Sequence, residues 1–247
     1  MDITAILKVG SVMILGSIIQ SSSGFGFGLF AIPIFLFFGF DLESTVIMVV
    51  IGSAIQKVSA INSLKEHLDW REMAPFVFTG LVALPLGIFA MFKISGMDQS
   101  VVKQVIGGVV LVVLMLRWKG AIKSREIVPK IWGYLAGFLS GLLNGFANIG
   151  GPPLVLWILA HQWPNKKMRG TIIAFSLIYV PFQVLLMLFT FGSTLLNPML
   201  NAILLTPTIL LGTWIGLKIG EKISKKHLEI YMQALLLFIA ISSILKG

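Results

Sequence analysis

Ten apolar runs, at about 3–20, 25–40, 46–62, 74–92, 102–116, 131–143, 152–163, 171–191, 199–217 and 229–245, follow one another with only short polar loops between them. A chain of 247 residues cannot bury that much hydrocarbon in one globular core, so most of it must face lipid. Only 12% of the residues are charged, where a soluble domain carries about a quarter, and the mean hydropathy is +0.95. The expected fold class is therefore an all-α polytopic membrane protein with the lipid bilayer as its solvent.

Run length refines this picture. Runs of about 17–22 residues can cross a hydrocarbon core of roughly 30 Å, whereas 131–143 and 152–163 reach only about 18–20 Å each at 1.5 Å per residue. Those two read as half-helices, while the length of 3–20 admits either a full span or a half-helix. The N-terminal run reads as retained rather than cleaved, because Asp2 and a lone Lys8 make a poor basic leader and further spans follow. With no cysteine, disulfides, thiolate chemistry and cysteine-ligated metals are excluded.

The net charge of +9 raises nucleic acid as a partner, but the basic residues form no stripe and no recognition signature, so none is expected. They sit in loops instead. Arg117, Lys119, Lys123, Arg125 and Lys130 lie in 117–130; Lys166, Lys167 and Arg169 in 161–170; Lys218, Lys222, Lys225 and Lys226 in 218–229. The positive-inside rule puts all three loops in the cytoplasm. The linker 117–130 and loop 161–170 then share a side, so the two short runs between them enter the membrane and return, turning at Asn144–Pro152. Counting back places 93–101 outside, 63–73 inside and the acidic 41–45 outside. Of the 19 Lys and Arg, 14 fall in cytoplasmic loops, four outside (Lys8, Lys93, Lys103, Lys246) and one, Lys57, in a span.

The two halves are alike. A shift of 124–125 residues lays Gln20 over Asn144, Gly26 over Gly150 and the Gly87–Lys93 stretch over Gly212–Lys218. Each half is expected to hold a broken, re-entrant helical hairpin plus three transmembrane helices: ten helical segments, or about eight spans if each hairpin counts as one. Three is odd, so the copies are inverted, the layout of secondary transporters whose interrupted helices meet near the midplane. The boundaries are 1–116 for the first repeat, 117–130 for a basic cytoplasmic linker and 131–247 for the second repeat.

Two stretches interrupt the apolar sequence with small and amide residues: Gln20-Ser21-Ser22-Ser23-Gly24-Phe25-Gly26-Phe27-Gly28 and Asn144-Gly145-Phe146-Ala147-Asn148-Ile149-Gly150-Gly151-Pro152-Pro153. Irregular backbone survives at membrane depth only where protein buries it or it lines a cavity. A helix restarting after such a break offers unpaired N–H groups and a partial positive charge, which favour an anion. Restarts are expected near Phe27–Leu29 and at Pro152, where proline suits the first turn. The candidate substrate-binding residues are Gln20, Ser21, Ser22, Ser23, Gly24, Gly26, Asn144, Gly145, Asn148, Gly150, Gly151 and Pro152. The alternative role of these groups is to cap helices and hold the hairpins together. Gly133, Gly137, Gly141 and Gly145, spaced by four, and Gly212, Gly216 and Gly220 read as close helix packing.

All ten acidic residues lie outside the apolar runs or at their ends, whereas a cation carrier or proton pump keeps a carboxylate within the membrane. The substrate is thus anionic or neutral. Lys57 balances a substrate charge or snorkels to the inner interface; His161, at a hairpin end, is a proton relay or an interfacial residue. No nucleotide-binding loop, metal-ligand spacing or nucleophile elbow occurs, so no cofactor, metal or enzymatic activity is expected. The competing readings are an intramembrane enzyme, for instance with Ser22 and His161, and an assembly subunit without a site of its own.

The run Gly16 to Pro33, the stretch Gly137-Phe138-Leu139-Ser140-Gly141 through Gly150-Gly151-Pro152-Pro153, and His67-Leu68-Asp69-Trp70-Arg71 leading to Gly80 and Gly87 resemble the TauE/SafE sulfite exporter family over nearly the whole chain. The resemblance implies a bacterial or archaeal inner-membrane protein of seven or eight spans that exports sulfite, organosulfur compounds or related carboxylate anions. Family members often carry a glycine run at both breaks, whereas here the first reads Ser-Ser-Ser-Gly-Phe-Gly, richer in hydroxyls. The sequence leaves the ion, its direction, any coupling ion and the oligomeric state open, a homodimer included.

Overall fold

Backbone that water cannot reach must satisfy its own hydrogen bonds, and in a single segment only a helix does so. The computed structural model describes residues 3–23, 26–61, 69–119, 128–222 and 225–245, and among them it holds eleven α-helices and one 3-10 turn, with no strand. The helices are α1 (Ile3–Ser23), α2 (Phe27–Phe37), α3 (Leu42–Ile61), α4 (Trp70–Ser95), α5 (Gln99–Lys119) and α6 (Lys130–Ala147). They continue as α7 (Gly151–Leu159), α8 (Asn165–Phe191), α9 (Leu196–Leu204), α10 (Thr206–Lys222) and α11 (Lys225–Leu245). Residues 120–127 of the expected linker lie outside the described residues.

Two expectations about length change. The run 131–143 belongs to an 18-residue helix, α6, of about 27 Å, while α7 has nine residues and about 14 Å. Thus α6 is not a half-helix, although α7 is. The apolar count stopped at Leu143, but Asn144, Gly145, Phe146 and Ala147 are buried and stay helical, packing overriding weak propensity. Secondly, 199–217 is two helices, α9 and α10, meeting at Leu205. Pro207 has no N–H for the carbonyl of Ile203, which instead accepts the Thr206 hydroxyl at 2.5 Å.

Glycine decides where helices approach most closely. On α4 and α6, Gly137 faces the backbone of Phe76, Gly141 that of Gly80, and Gly145 those of Leu84 and Gly87; a Cβ at any of them would collide with backbone atoms. On α10, Gly212 lies against Ile14 and Ser17 of α1, and Gly216 against Ile18 and Ser21. These small-residue seams let backbones touch where side chains could not interdigitate. α5 packs on α11, and α3 on α8. α3 is the central helix, with Val46, Ile47, Val49 and Val50 fully buried. The outer surface is apolar: Phe189 is 92% exposed, Leu245 78% and Leu204 75%. Such a surface suits lipid.

Candidate functional site

Each break is formed by a different backbone device. α2 starts after Gly26, which holds the left-handed conformation at φ 107°, open to glycine without steric cost. Gly24 and Phe25 lie outside the described residues. α6 ends at Asn148, a non-glycine residue at φ 49°. Its N–H bonds the carbonyl of Asn144 at 2.8 Å, and that of Ile149 reaches Leu143 at 3.2 Å, which closes the helix end. The side-chain oxygen of Asn144 then accepts the Gly150 N–H at 3.2 Å, and α7 begins Gly151-Pro152-Pro153.

The two breaks meet. At Gly28, a Cβ would stand 2.5 Å from the carbonyl oxygen of Asn148 and 3.4 Å from Ile149, so only glycine allows this approach. Between them lies a cavity with about 50 Å³ open to the centre of a water molecule. A site needs roughly 10–15 Å³ on that measure to hold one water, so this one takes a few waters or one small solute. Gln20, Gly26, Asn144, Asn148, Gly151 and Pro152 line it, together with Lys57 of α3.

Other candidates fall elsewhere. The Ser21 hydroxyl accepts a hydrogen bond from the Gln56 amide. The Ser22 hydroxyl donates back into its own helix, to Ile18 at 2.8 Å. Gly145 packs on α4, and Gly150 abuts Ser140 and the Asn144 side chain. Gly24 and the side chain of Ser23 lie outside what is described. His161 does not line the cavity; its ring stacks on Trp163 at 4.3 Å and its Nδ1 lies 2.9 Å from the Trp157 carbonyl. Among the described residues no three His, Asp or Glu side chains gather as metal ligands.

The spans supply lining residues that sequence reasoning missed. Ser53 and Lys57 stand one turn apart on α3, and Ile172, Phe175 and Ser176 face in from α8. Helical spacing from Lys57 would have found Ser53; Ser176 carried no signal. The Asn148 amide reaches the Ser53 hydroxyl at 3.5 Å. Two glutamines brace the breaks from the same spans. Gln56 donates to the Ser17 carbonyl at 3.0 Å, and Gln183 to the Asn144 carbonyl at 2.7 Å.

Apolar helices with a lipid-suited exterior, two of them interrupted beside a cavity of mixed polar and apolar lining, define the class of all-helical polytopic membrane proteins. The family model for the sulfite exporters TauE/SafE matches residues 9–243, and the chain belongs to that family, one of exporters rather than enzymes. A curated relative from Cupriavidus necator, described as "Probable sulfite/organosulfonate exporter TauE", is 22% identical over 169 residues. That match covers 67% of this chain and 63% of the relative, so the chain spans less than two thirds of that relative's length. No solved structure matches the chain.

Proposed function

We propose that the protein is an alternating-access exporter of small anions such as sulfite, organosulfonates or related carboxylates, with its binding site in the cavity between the two breaks. The observation that carries this reading is the shared lining: residues of both breaks and one cation, Lys57, surround a single cavity, with no carboxylate among the described lining residues. The first turns of α2 and α7 face it, so two partial positive charges add to that of Lys57. The inside-negative potential then supplies about 2.3 kcal/mol per charge per 100 mV for moving an anion outward. No energy-coupling domain is needed.

In this reading the chain is two inverted repeats, 1–116 and 131–247, joined by a cytoplasmic linker at 117–130 in a bacterial or archaeal inner membrane. Packing supports it. Gly133 lies against Trp157 and Gly150 against Ser140, the contact order of a hairpin in which α7 returns beside α6. Gly137, Gly141 and Gly145 meet α4 at successively later residues, as expected if both helices start from the same face. Gly212 and Gly216 meet α1 in the same sense. α4·α6 and α10·α1 are thus counterparts under the proposed symmetry. The glutamine braces refine the register: 56 to 183 and 17 to 144 are both shifts of 127, which pairs Ser17, rather than Gln20, with Asn144.

The lining residues of α3 and α8 fall in the halves nearest the basic loops, which supports a cytoplasm-facing cavity, the state in which an exporter loads. The chain has no cysteine, so single replacements can be labelled without background. Ser53→Cys and Ser176→Cys in right-side-out vesicles should react with a membrane-permeant thiol reagent and resist an impermeant one. In proteoliposomes at set potential the wild type should release sulfite or organosulfonate faster as the interior becomes more negative. Absence of any anion flux would overturn the transport reading, and equal labelling from both sides would overturn the orientation.

A further inference from the structure

Among the described residues that line the cavity, every group is neutral except Lys57. The sole ion pair among the described residues joins Lys167 to Glu72, so Lys57 has no described counter-charge. The carboxylates whose side chains are described stand at helix ends or between helices: Asp41 and Glu43 at the start of α3, Asp69 and Glu72 at that of α4, and Asp98 before α5. None of them lines the cavity.

The two hydroxyls beside Lys57 do not supply further positive character. Ser53 donates to the Val50 carbonyl at 3.1 Å and Ser176 to that of Ile172 at 2.9 Å, so both protons are spent on their own helices and each offers lone pairs. An acid group is therefore held by the Lys57 ammonium, the Gln20 and Asn148 amides and the helix starts. The rest of the wall is apolar, with Phe27, Leu29, Ile149, Leu154, Ile172 and Phe175 facing the same small space.

We infer that Lys57 sets the charge class of the substrate: the site takes small acids with a short carbon skeleton and no cationic group, and rejects zwitterions of the same size. This deepens the exporter reading and rests on it. A ligand ammonium within this volume would lie close to the Lys57 ammonium with no described carboxylate to neutralise either, so repulsion in a low-dielectric site opposes it. A neutral residue at 57 would bind acids more weakly but would no longer distinguish the two classes.

The test compares ethanesulfonate with 2-aminoethanesulfonate, which share the sulfonate and the carbon chain and differ by one ammonium group. Each competes against efflux of radiolabelled sulfite from proteoliposomes. For the wild type, ethanesulfonate should inhibit at a concentration at least tenfold lower than its amino counterpart. Lys57→Gln should weaken ethanesulfonate at least tenfold and bring the ratio close to one, while Lys57→Arg should keep most of the discrimination. Equal inhibition of the wild type by both compounds would overturn the inference, as would a Lys57→Gln ratio unchanged from wild type or an Arg variant that discriminates no better than the Gln variant. Sulfite efflux that persists in those cases leaves the exporter reading standing, whereas absence of efflux from wild type defeats both.

Discussion

The two breaks look alike in sequence, yet their polar groups are committed differently. At the second, Asn144 is buried, its side chain accepts the Gly150 N–H, and its carbonyl takes the Gln183 amide. Pro152 and Pro153 remove two N–H groups from the first turn of α7. At the first, Gln20 is half-buried against the cavity with no hydrogen-bond partner among the described residues, and α2 starts with a full set of N–H groups at Phe27, Gly28 and Leu29. Gln20 keeps its polar groups uncommitted at the first break, whereas those of Asn144 are spent on the shape of the second. Two amides that stand at similar places in the two breaks need not do the same work.

The strongest way to break this contrast is at the seam leading to the second break. Gly141→Val places a side chain against the backbone of Gly80, which cannot move without separating α4 from α6. The expected result is loss of the folded species on fluorescence-detected size-exclusion chromatography. On the first side, Gly10→Ala meets only the end of Leu205 at 3.8 Å and should elute as wild type. Two similar profiles would remove the distinction between a glycine in a tight seam and one in open packing.

A smaller effect separates the amides themselves. Asn144→Ala leaves the buried Gly150 N–H without an acceptor, at a cost of about 1–3 kcal/mol, and should lower the melting temperature by several degrees. Gln20→Ala should melt within roughly 0.5 kcal/mol of wild type and lose anion flux. The opposite pattern, a destabilised Gln20 variant and a stable but inactive Asn144 variant, would reverse the assignment.

The number and order of the helices were largely legible in the sequence, because apolar runs and the punctuation between them are local. The two departures came from the same locality. Hydropathy ends α6 at Leu143, but burial against α4 carries the helix to Ala147, and Pro207 divides a run that hydropathy reads as one. In the site, the breaks announce themselves by composition, whereas Ser176 and Phe175 enter the cavity only because α8 packs on α3, a long-range fact invisible to a local window. His161 shows the converse. A histidine at a hairpin end invites a functional role, but Trp157 and Trp163 enclose its ring away from the cavity. The proposed symmetry rests on a shift of 124–125 read from residue identity, whereas the glutamine hydrogen bonds favour 127.

The finest test is at Asn148, where a backbone role and the proposed ligand role fall on one residue. Its φ of 49° favours glycine, and its side chain reaches Ser53 while lining the cavity. Asn148→Gly relieves the left-handed strain but loses the amide, so its melting temperature should match or slightly exceed that of wild type while anion affinity falls. Asn148→Ala loses the same amide and keeps the strain, so it should sit about 1 kcal/mol below the glycine variant with a similar loss of affinity. Thermal melts paired with flux measurements separate the two contributions, because backbone strain divides the variants by stability alone and the amide lowers flux in both. If the glycine variant transports as well as wild type, Asn148 is a helix terminator only, and ligand recognition moves wholly to the first break and the α3–α8 wall.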